Sequence, residues 1–252
     1  MLEWNPDTYI KFEQQRTQPA VDLAARLHMR KMRRILDIGC GPGNSTSILN
    51  VQFPDASIVG IDSSEDMITK AKARYPSLDF KLQDVHTLDG TYDLLFSNAC
   101  LQWIPDHAQL LPFLMRHIAP DGALAVQMPD NMDEPLYRII DEVAAQPKWN
   151  FTPAAFPHNS ILSPEAYYDI LTACSSSIDV WKTIYYHTLP GCRAMVDWVK
   201  GSRLRPYLNA LEPAQAACFE EEILALAQKA YPLQSDGTVL FRFKRLFFIA
   251  DK

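Results

Sequence analysis

A chain of 252 residues, 48% of them apolar, is long enough for one large domain or for a core with a cap. A net charge of −6 argues against nucleic acid as the main partner, because phosphate contacts need a basic surface. No apolar run reaches bilayer length, and the start from Met1 to Asp7 lacks the basic and apolar regions of a secretion signal. A cytoplasmic protein without membrane attachment is expected.

The five cysteines, at 40, 100, 174, 192 and 218, are widely spread and form no Cys-x-x-Cys pair. Reduced thiols fit this spacing, and neither they nor the six histidines form a metal-ligand pattern, so no metal is expected.

The first strand candidate, Arg33–Ile38, runs into Asp37-Ile38-Gly39-Cys40-Gly41-Pro42-Gly43-Asn44-Ser45, with a helix start at Asn44. Three glycines in five residues let a ligand approach the backbone at a helix N-terminus. Asn44 stands where a dinucleotide fingerprint needs its last glycine, so the spacing departs from that motif. An acid two residues before the first glycine suits a ligand with a cationic amino group, as S-adenosylmethionine (SAM) has.

The next strand candidate, Ser57–Asp62, ends in a carboxylate 21 residues beyond Gly41, able to accept from both hydroxyls of a ribose. Ser63-Ser64-Glu65-Asp66 opens an amphipathic stretch, Glu65–Tyr75, where a serine cap leaves Asp62 for a ligand. Ser63 borders the same site, and Met67 is placed to pack on an adenine face or in the core. The third candidate, Asp79–Gln83, precedes Asp84, an acceptor for an adenine amino group or a surface acid. The fourth, Tyr92–Asn98, ends in small and polar groups before Trp103, where cofactor and substrate would meet. A helical stretch, Ala108–Ile118, leads to a fifth strand, Ala123–Met128.

This alternation predicts an α/β fold, a doubly wound and mostly parallel sheet whose ligands bind beyond the strands' carboxyl ends. Asp37, Asp62 and Asp84 fall at three consecutive strand ends behind a glycine loop without NAD spacing. Together they point to a class I SAM-dependent methyltransferase with seven strands. The cofactor contacts predicted are Asp37, Gly39, Gly41, Asn44, Asp62, Ser63, Met67, Asp84 and Asn98.

After Met128 the pattern changes. Six prolines fall between 129 and 165, around helical patterning at Glu134–Ala145. A strand candidate Ile178–His187, a helical block at 191–230 and a last strand Val239–Ala250 follow. The expectation is one domain over 1–252, with a core at about 30–130, 178–190 and 238–250. A helical cap would come from 1–20, 131–170 and 191–232.

Over nearly its whole length the chain resembles the trans-aconitate methyltransferase family. The matching segments include Trp4-Asn5-Pro6 to Tyr9, Phe12 and Arg16, Gln127-Met128-Pro129-Asp130-Asn131, Tyr185-Tyr186-His187 and Leu204-Arg205-Pro206. The resemblance implies methyl transfer from SAM to one carboxylate of trans-aconitate, or of a similar small polycarboxylate, giving a monomethyl ester. The chain departs from the family pattern at 145–165 and at Arg203, where a glycine is usual.

A carboxylate has an ordinary pKa of about 4 and is already a nucleophile at neutral pH, so no general base is expected. Rate must come from alignment and fixed dipoles, and a triply charged acid needs cationic and hydroxyl partners. The candidates are Tyr9, Arg16, Trp103, Tyr186, His187, Arg203 and Arg205. A different small-molecule or lipid-like acceptor, and a SAM-binding module without turnover, are the alternatives. A monomer is expected.

Overall fold

In the computed structural model, which describes residues 13–27, 29–151 and 161–252, seven strands form one sheet in the order β3-β2-β1-β4-β5-β7-β6. They are β1 (Arg34–Ile38), β2 (Ser57–Asp62), β3 (Asp79–Leu82), β4 (Tyr92–Asn98), β5 (Ile118–Pro129), β6 (Ser177–Leu189) and β7 (Val239–Asp251). The first five strands pair in parallel, and β7 runs antiparallel to β5. The strand order reverses at β1, which makes its carboxyl end the switch point of the sheet.

The helices are α1 (Glu13–Ala25), α2 (Asn44–Gln52), α3 (Glu65–Arg74), α4 (His107–Arg116), α5 (Pro135–Ala144), α6 (Pro164–Thr172), α7 (Cys192–Lys200), α8 (Arg205–Asn209) and α9 (Pro213–Ala230). One boundary differs in kind from the sequence reading. Ile118 ends no helix; it opens β5 and pairs with Tyr92. Helical periodicity carries through Met115, but His117 already caps the helix with its N–H on Leu114 and Met115 carbonyls. Among the described residues no helix is long and apolar enough to cross a membrane.

The chain divides into two compact units. Of the described residues, the sheet unit holds those within Thr17–Pro129, Asn159–Thr183 and Arg245–Lys252, and the helical unit those within Met1–Arg16, Asp130–His158 and Ile184–Lys244. The segment 131–170, expected wholly in a cap, therefore splits. α6 belongs with the sheet unit because Tyr167 and Leu171 are fully buried in its core.

Within the sheet unit, the register sends successive side chains to opposite faces. Leu95, Val126 and Phe248 lie on one face and join Leu110 and Leu114 of α4 and Tyr167 of α6 in one apolar cluster. Asp37, Phe96 and Ala125 share the other face, with Asn98 and Gln127 paired in register two residues further on. Polar side chains on that face thus gather at the carboxyl ends of the strands.

The helical unit has its own core. Ile140, Met195, Trp198, Phe219, Ile223 and Phe241 are packed together there. Its entry turn is fixed by a buried polar set. Tyr231 Oη accepts from the Leu136 N–H at 2.9 Å and donates to Glu134 Oε1 at 3.0 Å. Arg242 Nε approaches the same carboxylate, which is fully buried, at 3.5 Å. Removing one partner leaves buried groups unmade, which costs about 1–3 kcal/mol. Tyr231→Phe is accordingly expected to lower stability by about 1–3 kcal/mol in denaturant titration. An unchanged midpoint would count against this role.

Candidate active site

The site begins with Asp37, the fourth residue of β1, which has no exposed surface. Its Oδ2 accepts from the hydroxyls of Ser45 and Thr46, both at 2.6 Å. These side chains come from the first turn of α2, so one carboxylate oxygen ties the strand end to the helix start. The other oxygen, Oδ1, is buried without a partner. Burial, only partly offset by the two hydroxyls, pushes the Asp37 carboxyl up to about 6.

The surrounding backbone is shaped for this arrangement. Gly60 stands opposite Asp37 on β2, and a Cβ there would meet Thr46 Oγ1 at 2.8 Å. Gly39 has φ +68° and would place a Cβ 2.1 Å from Cys100 Sγ, so both its conformation and its neighbour require glycine. Burial raises the Cys100 thiol to about 12 and raises that of Cys40 as well, which leaves both as packing groups, not thiolate nucleophiles.

Asp62 bridges the two turns. Its Oδ2 accepts from the Gly41 N–H at 3.0 Å and its Oδ1 from the Ser64 N–H at 2.9 Å. Ser64 in turn caps α3 by accepting from the Met67 N–H at 3.4 Å. The serine cap expected from sequence is therefore present. Each Asp62 oxygen retains a second lone pair for a ligand hydroxyl. The Gly41 N–H, by contrast, is given to Asp62 and not to a ligand.

The remaining predicted positions are distributed as follows. Asn44 opens α2 and accepts from Arg74 Nη1 at 3.2 Å. Ser63 is exposed, and Met67 lies half-buried in the first turn of α3. Asp84, exposed beyond β3, receives the His86 N–H and contacts the His86 ring, both at 2.8 Å. Those bonds hold its carboxyl below the ordinary range. Asn98 ends β4 with a buried, unpartnered Oδ1. After it Ala99 takes φ +55°, a left-handed conformation that costs an alanine about 1–2 kcal/mol. Such strain persists only where neighbours enforce it, here a 2.9 Å bond from the Ala99 N–H to the Gln127 carbonyl.

Trp103 is 52% exposed at the end of a short 3₁₀ turn, Leu101–Trp103. That turn is held from beneath by His107, which accepts from Tyr167 Oη at 2.6 Å and donates to the Leu101 carbonyl at 2.9 Å. The other acceptor candidates fall in the helical unit. Arg203 pairs with Asp141 and lies over Tyr137, so its charge is already answered. His187 stacks on Trp198 with centroids 4.5 Å apart. Tyr186 and Arg205 are exposed. Arg16 lies near the start of α1, and Tyr9 is outside the described residues.

Two groups of residues escaped the sequence reading. Ser45 and Thr46 were legible only as a helix start, though two hydroxyls eight and nine residues after a strand-end acid are a usable signal. Gln127 enters the sequence reading only within the segment that carries the family resemblance and is given no role there, yet it is wholly buried with neither amide atom partnered.

A ligand that brings an ammonium group to Asp37 Oδ1 would relieve an unpaired buried charge, so the residues present fit SAM. Below pH 6 that ammonium must displace a proton, and each further unit costs about tenfold in affinity. S-adenosylhomocysteine (SAH), which keeps the amino-acid part of SAM, is therefore expected to bind about tenfold more weakly at pH 5 than at pH 8 by calorimetry. A flat affinity between those values would contradict the assignment.

Known proteins resemble this chain in sequence and in fold. A methyltransferase-domain family model matches residues 30–189. Trans-aconitate 2-methyltransferase of Methylobacterium radiotolerans is 44% identical over 258 residues, covering 100% of this chain and 99% of its own. The enzyme of the same name from Yersinia pseudotuberculosis is 44% identical over 254 residues, covering 99% and 98%. Among solved structures, the YcgJ protein of Bacillus subtilis shares the fold at TM-score 0.59 and 13% identity, over 93% of this chain and 98% of that one. The plantazolicin methyltransferase BpumL, solved with SAH, does so at TM-score 0.52 and 14% identity, over 98% and 90%. Identity at this level from end to end, on a methyltransferase sheet, means that the chain belongs to the trans-aconitate 2-methyltransferase family.

Proposed function

We propose that this chain is a SAM-dependent O-methyltransferase that esterifies one carboxylate of trans-aconitate. The observation that carries the cofactor is the buried Asp37 carboxylate, half satisfied by Ser45 and Thr46 and half unpaired beside the glycine turn. What supports the acceptor is the full-length likeness to enzymes named for it.

Bound SAM supplies an electrophilic methyl group. The chain's own residues bind and orient. Ser45 and Thr46 fix the plane of the Asp37 carboxylate, so that Oδ1 keeps one direction for a ligand's amino group. Asp62, pinned by the Gly41 and Ser64 N–H groups, keeps its remaining lone pairs for ribose hydroxyls. Gly39 and Gly41 keep side chains out of the turn. Asn44, Ser63, Met67, Asp84 and Asn98 are proposed as the outer cofactor contacts.

No side chain needs to take a proton, because the acceptor carboxylate is ionised at neutral pH. Rate then rests on alignment and on removal of water from the attacking oxygen. Arg16, Trp103, Tyr186 and Arg205 are proposed as acceptor contacts, with Arg203 and His187 set by their packing partners Asp141 and Trp198. Partners are small molecules and not nucleic acid, in keeping with the net charge of −6. Free thiols at all five cysteines are in keeping with a cytoplasmic setting, and a monomer is proposed.

Incubation with isotopically labelled SAM and a panel of di- and tricarboxylates, read by mass spectrometry, tests this directly. A monomethyl ester of trans-aconitate is expected. Turnover of an uncharged acceptor without turnover of trans-aconitate would overturn the reading.

A further inference from the structure

Gln127 is the least explained side chain of the sheet unit. It has no exposed surface, and both Nε2 and Oε1 are buried without a hydrogen-bond partner. A buried amide left unpaired at both ends is expensive, and a methionine or leucine would fill the same strand position at no such cost. Along β5 its chain neighbours are apolar, with Ala123, Leu124, Ala125, Val126 and Met128 all fully buried. Asn98 stands in register with it on β4, and the buried Arg245 follows on the same face of β7.

Its position gives the amide a direction. Asp84 lies two residues beyond β3, Asp62 closes β2, Asp37 stands next to the last residue of β1, and the sheet then continues through β4 to β5. On the functional reading above, the nucleoside end of the cofactor lies toward β3 and β2 and the amino-acid end at β1. The reacting end then faces the strands that come next. Gln127 is in register with Asn98 on β4, on the face that carries Asp37, two residues beyond the row that pairs Asp37 with Phe96. The strained Ala99 holds the Gln127 backbone carbonyl, so the position of this residue is fixed from both sides.

We propose that Gln127 is an acceptor-binding residue, its amide N–H group donating to a carboxylate of the methyl acceptor while its carbonyl faces the positive charge of the cofactor. This assignment rests on the methyltransferase reading. A neutral dipole suits the place. A carboxylate there would repel the acceptor and compete with it for the methyl group, and an ammonium would repel the cofactor's cation. Burial strengthens both interactions, since few solvent dipoles compete.

The test is Gln127→Met, with three readouts. Without ligand, loss of an unpaired amide is expected to raise the thermal midpoint by about 2–4 °C. The KM for trans-aconitate is expected to rise about ten- to a hundredfold, as for loss of a hydrogen bond to a charged group. The Kd for SAH is expected to stay within about twofold, because the methionine leaves the Asp37 and Asp62 contacts untouched. A variant less stable than wild type would make Gln127 a structural side chain and overturn the proposal. An unchanged KM beside wild-type turnover of trans-aconitate would overturn it too, and leave the functional reading standing. A wild-type protein that methylates none of the panel acids would remove both.

Discussion

The carboxyl group of Asp37, taken wholly out of water at the switch point of the sheet, sets the terms for its neighbours. Its two hydroxyl partners must come from the first turn of α2, which fixes where that helix starts. The Thr46 hydroxyl, together with the Phe80 ring, leaves no room for a side chain at Gly60 on the adjacent strand. The turn between strand and helix must then be short and nearly bare, and Cys100 packs directly on Gly39 within it. A protein that needed only a stable strand-to-helix turn would have no reason to keep half a carboxylate unpaired there. The cost is a standing one in the ligand-free protein, and a bound cation would relieve it.

Around that acid the site is built from strand ends and not from a motif on one segment. β1 contributes Asp37, β2 contributes Asp62, and β4 contributes Asn98 with the strained Ala99. β5 adds Gln127, the one side chain here that is fully buried with no partner at either amide atom among the described residues. The opposite face of the same strands is apolar and packed on α4 and α6, which holds these ends rigidly. Rigid placement is what a reaction without a general base requires, since its rate depends on alignment, fixed dipoles and the exclusion of water.

Much of this was legible in the sequence, and the reasons are local. A glycine turn after an apolar strand, an acid at the next strand end and a serine cap are read from residues within a few positions of one another. All seven strands were anticipated for the same reason. What stayed hidden depends on residues far apart in the chain. Asp84 satisfies its own turn through His86, which position alone does not reveal. Arg203 has its charge answered by Asp141, 62 residues away, and α6 joins the sheet unit through Tyr167. Gln127 has no role readable from its own segment, since only the register shows that it lies beside Asn98 inside the fold.

On the reading proposed above, Asp37 is the buried counter-charge for the amino group of the cofactor. Calorimetric titration of SAH into the protein, repeated in buffers of different ionisation enthalpy, counts the protons exchanged on binding. With the carboxyl near 6 in the free protein, binding at pH 6 is predicted to release about half a proton, and at pH 8 almost none. No proton release at pH 6 would mean that Asp37 does not meet the ligand's charge, and the account of the site would fail there.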